Sequence, residues 1–185
     1  MRLARRESLA HAPSRRTVLR WGALTGAAVL GPRAALAARC RSLSLYAVNT
    51  SERLRVDYCV DGRYQPDALA AIARLMRDHR ADAVHAIDPK LLDAIAALGR
   101  TLGTAEPLHV VSGYRTPQTN EQKRRHERGV AVASYHVSGK AVDLFVPGRQ
   151  LASVRRVALA LRAGGVGYYP RSGFVHVDTG PVRSW

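Results

Sequence analysis

Apolar and polar positions alternate from residue 40 to 60, CRSLSLYAVNTSERLRVDYCV, which predicts two strands around a turn near Asn49-Thr50-Ser51. The period then changes to a helical one. Asp67 follows Pro66 and opens a run with Leu69, Ile72, Ala73 and Met76 on one face. Asp88-Pro89 supplies a cap and first turn for a second helix, with apolar Leu91, Leu92, Ile95 and Leu98 and a stop at Gly99. Residues 108–114 read as a strand ending in Ser112-Gly113, and residues 117–128 as a strongly polar helix or loop closed by Gly129. A strand over 141–146 puts Val142, Leu144 and Val146 on one face and Asp143 on the other. A helix over 151–162 ends at Gly164-Gly165, and residues 173–178 form a last strand. Strands interleaved with helices, without regular βαβ spacing, predict one α+β domain.

The first 37 residues follow a different pattern. Ser14-Arg15-Arg16-Thr17-Val18-Leu19-Arg20 carries a twin arginine ahead of an apolar run over 21–31, and Ala35-Leu36-Ala37 is a small-x-small cleavage site. That run is shorter than the roughly 20 residues that span a bilayer, so no stable membrane span is expected after cleavage. The whole resembles a twin-arginine (Tat) export signal, which implies the Tat translocon as a transient partner and a periplasmic mature protein. The expected division is a signal over 1–37, a β-hairpin extension over 38–66 and the main domain over 67–185.

Export changes the reading of charge and cysteines. The chain carries 29 Lys+Arg against 14 Asp+Glu, a formal +15 that invites a nucleic-acid partner. Seven of those basic residues and one acid precede residue 38, leaving 22 against 13, or +9, on the mature chain. The basic segment over 123–128 has no interleaved aromatics, so no nucleic-acid partner is expected. A content of 46% hydrophobic and 23% charged residues excludes a disordered or collagen-like chain. The predicted hairpin brings Cys40 and Cys59 roughly opposite each other. Two states are open to them: free thiols, or a disulfide contributing about 3 kcal/mol.

The chemistry concentrates in two segments. In Ser134-Tyr135-His136-Val137-Ser138-Gly139-Lys140-Ala141-Val142-Asp143, a turn at Gly139 lets His136 swing over the strand face that carries Asp143. An Asp within an apolar strand needs a partner. In Phe174-Val175-His176-Val177-Asp178, the strand period puts Phe174, His176 and Asp178 on one face. His136, Asp143 and His176 make a three-ligand set that suits Zn²⁺ with one position left open, as amide hydrolysis requires. The spacing also fits a plainer arrangement, with Asp143 paired to Lys140 or Arg115 and Asp178 to Arg183.

SYHVSGKAVD resembles the S-x-H-x-x-G-x-A-x-D signature of the LAS metallopeptidases, which include D-alanyl-D-alanine carboxypeptidases and the Hedgehog signalling domain. RSLSLYAVNTSERL, YQPDALAAIARLMRDHR, IDPKLLDAI, SGYRTPQTN, GGVGYYPRSGFVHVDTG and the terminal PVRSW extend the similarity to the murein endopeptidase K group over residues 39–185. The resemblance implies a single LAS-type domain: a small antiparallel sheet, flanking helices and an N-terminal β-hairpin. It implies zinc on His136, Asp143 and His176, and hydrolysis of peptidoglycan cross-links as an endopeptidase. The alternatives are a D,D- or L,D-carboxypeptidase on stem peptides and a non-catalytic zinc-containing cell-wall-binding module.

Ser112-Gly113-Tyr114-Arg115 matches the family loop whose arginine faces the substrate. This places Ser112 and Tyr114 at the substrate and gives Arg115 a substrate carboxylate or the developing oxyanion. The plainer role for Arg115 is to pin its own loop to Asp143. Many members carry an acid three residues before the last ligand, or a His two residues before it. Here those positions are Gly173 and Phe174. Asp178 then has two readings, as general base or as the group that orients His176. Tyr168 and Tyr169, in a Gly-rich loop, either line the cleft or pack. His126 reads as a solvated helix residue. The family often shows His-Thr-Gly-Glu at the hairpin turn, where this chain has Asn49-Thr50-Ser51-Glu52.

Overall fold

The computed structural model describes residues 40–126 and 131–185. The expected signal over 1–37, and the close of the polar helix at Gly129, lie outside them. Strands β1 (Cys40–Ala47) and β2 (Arg53–Val60) form the predicted hairpin, and the short β3 (Arg63–Tyr64) follows. Helix α1 (Pro66–Leu75) starts at its proline and buries Ala68, Ile72, Ala73 and Leu75. Helix α2 (Pro89–Leu102) is capped by Asp88, whose side chain accepts from the Lys90 N–H at 3.0 Å. Strand β4 (Leu108–Ser112) leads into α3 (Pro117–His126), and a short 3₁₀ turn (Tyr135–Ser138) precedes β5 (Ala141–Phe145). Helix α4 (Leu151–Leu161), β6 (Gly165–Tyr169), β7 (Phe174–Asp178) and β8 (Arg183–Ser184) complete the described elements.

All eight described strands join one sheet in the order β3-β2-β1-β4-β5-β7-β6-β8. The β1–β4 and β6–β8 pairs are parallel and the others antiparallel. The architecture is therefore α+β, with the hairpin continuing the sheet at one end. Val142, Leu144, Val175 and Val177 join Leu91, Leu92, Ile95 and Val154 in the core between sheet and helices. Strand alternation turns Asp143 and His176, directly paired in register, to the opposite face. One pair of strands thus builds the core on one side and the site on the other. Among the described residues no helix is long and apolar enough to cross a membrane.

Two local expectations change, and one left open is decided. Gly99 does not end α2; it packs against Leu108, and the helix runs on to Gly103, whose φ of 59° supplies the left-handed cap. The expected Gly-rich loop at Tyr168 and Tyr169 is strand β6, sandwiched between β7 and β8. Its alternation is masked because Gly165 and Gly167 occupy one face. The cysteines are free thiols. Cys40 pairs with Val60 and Arg41 with Cys59, so a one-residue offset turns the cysteine side chains to opposite faces. Cys59 Sγ instead accepts from Arg41 Nη2 at 2.7 Å. Asp93 on α2 ties down this end of the hairpin, accepting from Arg41, Tyr58 and Tyr64.

Candidate metal centre

The 3₁₀ turn ends at Gly139, whose φ of 66° lets the chain reverse tightly into β5. This reversal lays His136 over the strand face carrying Asp143 and His176. His136 Nε2 lies 3.2 Å from His176 Nδ1 and 3.3 Å from Asp143 Oδ1, and His176 Nδ1 lies 2.8 Å from the same oxygen. One donor atom from each residue falls within 4.8 Å of the others, and all three side chains are buried.

The outer edges of both imidazoles determine which nitrogen is available. The Gly113 carbonyl lies 2.7 Å from His136 Nδ1 and can only accept, so Nδ1 carries the proton and Nε2 presents its lone pair. Asp178 Oδ2 lies 3.1 Å from His176 Nε2, which leaves Nδ1 facing inward. Two imidazole lone pairs and a carboxylate oxygen converging on one point, each ring held from behind, fit a divalent metal of the zinc type.

Burial and the neighbouring charges act differently on the members of the cluster. Burial lowers the pKa of His136, so its ring is neutral, as a ligand must be. Burial opposes ionisation of Asp143, yet His136 and His176 outweigh it and hold the carboxyl far below the usual range. Burial likewise works against a charge on His176, but Asp143 and Asp178 together raise its pKa. Asp178 is fully buried and its pKa is also lowered. Burial is outweighed there by His176, Arg183 and the backbone N–H groups of Gly180 and Gly165.

A cleft of about 720 Å³ opens over the cluster. Of the residues expected at the site, Ser112, Arg115, His136, Asp143, Tyr169 and His176 line it. Tyr114 instead stacks on His85, and Tyr168 lies under the Arg155 guanidinium with its ring against the core. Neither lines the cleft: Tyr168 alternates away from Tyr169 along β6, and Tyr114 lies in the loop after β4. Asp178 is not among the lining residues. It contacts Arg183 at 2.8 Å, so the plainer Asp178–Arg183 pairing and the His176 contact coexist on one carboxylate.

Arg115 is buried, with Nη2 3.8 Å from Asp143 Oδ2 and Nη1 donating to Asn120 Oδ1 at 3.4 Å. Its loop is fixed by the Tyr114 N–H bonded to the Met76 carbonyl at 2.7 Å. Buried Asp78 adds to this by accepting from the Thr116 N–H and Oγ1.

Several cleft residues carry no local sequence signal. Asn49, at the hairpin turn and remote in sequence from the ligands, lines the cleft and donates to the Val111 carbonyl at 2.7 Å. Trp185 also lines it, its ring centroid 5.4 Å from that of His176. A Cβ on Gly167 would come within 2.8 Å of the Trp185 indole, so the glycine makes the seat for it. The indole Nε1 donates to Tyr169 Oη at 2.7 Å, and backbone bonds to Val166 and Tyr168 fix the residue. Its presence in PVRSW was the available clue.

Comparison with known proteins covers this entire assembly. The family described as peptidoglycan L,D-endopeptidase MepK matches residues 35–185. The peptidoglycan L,D-endopeptidase MepK of Escherichia coli (strain K12) is 43% identical over 177 residues, which cover 93% of this chain and 97% of that protein. The probable peptidoglycan L,D-endopeptidase MepK of Haemophilus influenzae is 44% identical over 146 residues, 78% of each chain. With the whole His-Asp-His cluster and cleft inside the matched span, the chain belongs to the peptidoglycan L,D-endopeptidase MepK family.

Proposed function

We propose that this protein is a zinc-dependent peptidoglycan endopeptidase that hydrolyses peptide cross-links, with the L,D bond named for its relatives as the first candidate. The observation that carries the reading is the convergence of His136 Nε2, Asp143 Oδ1 and His176 Nδ1 at the cleft. Residues 1–37 then act as a twin-arginine signal that delivers the protein to the periplasm. The hairpin extension over 38–66 precedes the zinc domain over 67–185.

When bound, zinc supplies a Lewis acid that polarises the scissile carbonyl and acidifies a water for attack. The protein's own residues prepare that chemistry. Gly113 and Asp178 hold the two imidazoles in the tautomers that leave Nε2 and Nδ1 available. Arg115, steadied by Asn120, offers its guanidinium to a substrate carboxylate or to negative charge developing on the carbonyl oxygen. The burial of Asp178 behind His176 supports its role as an orienting group. Ser112 and Tyr169 bound the space in which the peptide lies.

The test is incubation of the purified mature protein with sacculi, with and without chelator, followed by resolution of the muropeptides. Chelator-sensitive loss of cross-linked dimers, restored by zinc, is expected. Trimming of stem peptides without loss of dimers identifies a carboxypeptidase. No change under any metal loading leaves a cell-wall-binding module.

A further inference from the structure

The row of paired residues that holds Asp143 and His176 continues across the sheet to a glycine. Asp143 on β5 pairs with His176 on β7, and His176 pairs with Gly167 on β6. Gly167 presents no side chain, and two neighbours take the space above it. A Cβ there would come within 2.8 Å of Tyr169 Cε2 and 2.8 Å of the Trp185 indole. Tyr169 stands two positions along the same strand, on the same face. Its ring therefore leans back toward the position paired with His176.

Two contacts fix that ring. It stacks on Phe174 at 4.8 Å between centroids and 27° between planes, and its Oη receives the Trp185 Nε1–H at 2.7 Å. Trp185 is held in turn by backbone bonds to Val166 and Tyr168, with the Arg183 guanidinium 4.8 Å over the indole and the His176 ring 5.4 Å away. An indole nitrogen only donates, so Tyr169 accepts in this bond and keeps its own proton for another partner. Among the described residues none takes that proton, and the side chain lines the cleft. A hydroxyl that accepts one hydrogen bond is polarised and gives a stronger one.

We infer that Tyr169 is a further catalytic residue, whose Oη–H donates to the scissile carbonyl oxygen as negative charge gathers there, and that Trp185 is the positioning residue that aims it. The inference rests on the peptidase reading for the identity of the substrate. Arg115, beside Asp143, approaches the cluster from the β4 side, and Tyr169 approaches it from the β6 side. The proton stays on the phenol, so the donor is intact for every turnover. A donor locked before the substrate arrives costs no reorganisation during the reaction, which is how such a hydrogen bond lowers the barrier.

The test uses the zinc-loaded mature protein, a cross-linked peptide dimer as substrate, and the phosphinate analogue of that dimer, whose tetrahedral oxygens carry the charge that the substrate carbonyl lacks. Tyr169→Phe keeps the ring against Phe174 and deletes only the hydroxyl. It is expected to lower kcat by about 100-fold with KM little changed. Affinity for the phosphinate, measured by titration calorimetry, falls by a similar factor. Metal content and circular dichroism stay as in the wild type. Trp185→Phe keeps an aromatic wall without the Nε1 donor and lowers kcat by about tenfold. Combined with Tyr169→Phe it adds little, because it acts through that hydroxyl. Wild-type kcat in Tyr169→Phe, or a raised KM with kcat unchanged, overturns the assignment and leaves the peptidase reading in place. Losses that multiply in full in the double variant overturn the role of Trp185. If the wild type binds the phosphinate in a Tyr169-dependent way but cleaves no dimer, the peptidase reading fails and the Tyr169 donor stands.

Discussion

Asp178 holds the Nε2 edge of His176 at 3.1 Å, while Nδ1 of the same ring faces Asp143 at 2.8 Å. The carboxylate is fully buried, receives two backbone N–H groups and pairs with Arg183. A group so enclosed is built to fix a tautomer. Asp178→Asn is therefore expected to weaken metal affinity by about 10- to 100-fold, with activity recovered at excess metal. Metal content after dialysis and rate against added zinc measure this. Full metal retention with lost rate would instead make Asp178 the base.

Arg115 lies against Asp143 but does not belong to the converging donor set. Arg115→Ala should leave metal content unchanged and lower turnover by about 100-fold or more, the usual cost of losing an oxyanion donor. Arg115→Lys restores charge without the planar fork and is expected to recover only part of the rate. Wild-type turnover in the alanine variant would remove Arg115 from the reaction.

Gly167 gives the Trp185 indole its seat. Trp185 is one of two tryptophans in the chain, and the other, Trp21, lies in the expected signal, so mature-protein fluorescence reports on Trp185. Gly167→Ala is expected to displace the indole, shift its emission, and lower kcat/KM by about tenfold through a misplaced cleft wall. Circular dichroism and metal content should stay as in the wild type. Unshifted emission would show that the strand yields and the indole does not.

Asp78 supplies a pH-dependent part of stability. Burial opposes its ionisation, but hydrogen bonds from Thr119, Thr116 and the Arg80 N–H outweigh it and lower the pKa. A folded-state pKa below the unfolded one stabilises the fold above the unfolded value near 4, and the contribution is lost as pH falls through the folded value. Asp78→Asn is expected to cost about 1–3 kcal/mol at neutral pH, with the two melting curves converging in acid. A gap that stays constant down to the acid limit would contradict this.

Export depends on Arg15 and Arg16 in this reading. Replacing both with Lys should leave an uncleaved precursor in the cytoplasm, whereas the wild-type mature protein should begin at Ala38. Fractionation with N-terminal sequencing reads both. Thiol labelling of the exported, unfolded protein is expected to modify Cys40 and Cys59 equally with and without reductant.

Much of the fold was legible because local rules dominate where side chains repeat. The hairpin, Pro66 and Asp88-Pro89 as helix starts, and the strand carrying Asp143 all follow from periodicity and capping. Strand β6 was not legible, because Gly165 and Gly167 replace the side chains that would have shown the alternation. Those glycines answer to Arg183, Asp178 and Trp185, which arrive from the chain terminus. The state of the cysteines was left open for a related reason. Proximity across a hairpin was readable, but the offset pairing Cys59 with Arg41 was not.

By itself the sequence pointed to the α+β class, to the family and to His136, Asp143 and His176 as the residues that cluster, since each rests on residue types at fixed local spacing. Only the tertiary structure decided which nitrogen of each imidazole faces inward, because that depends on Gly113 and Asp178 behind the rings. It alone turned Tyr114 and Tyr168 away from the cleft and brought in Asn49, His79, Arg80 and Trp185. The reason is physical. A ligand motif is short because one turn and one strand position it, whereas the walls of a cleft are assembled from strands far apart in the chain and adjacent only in the sheet.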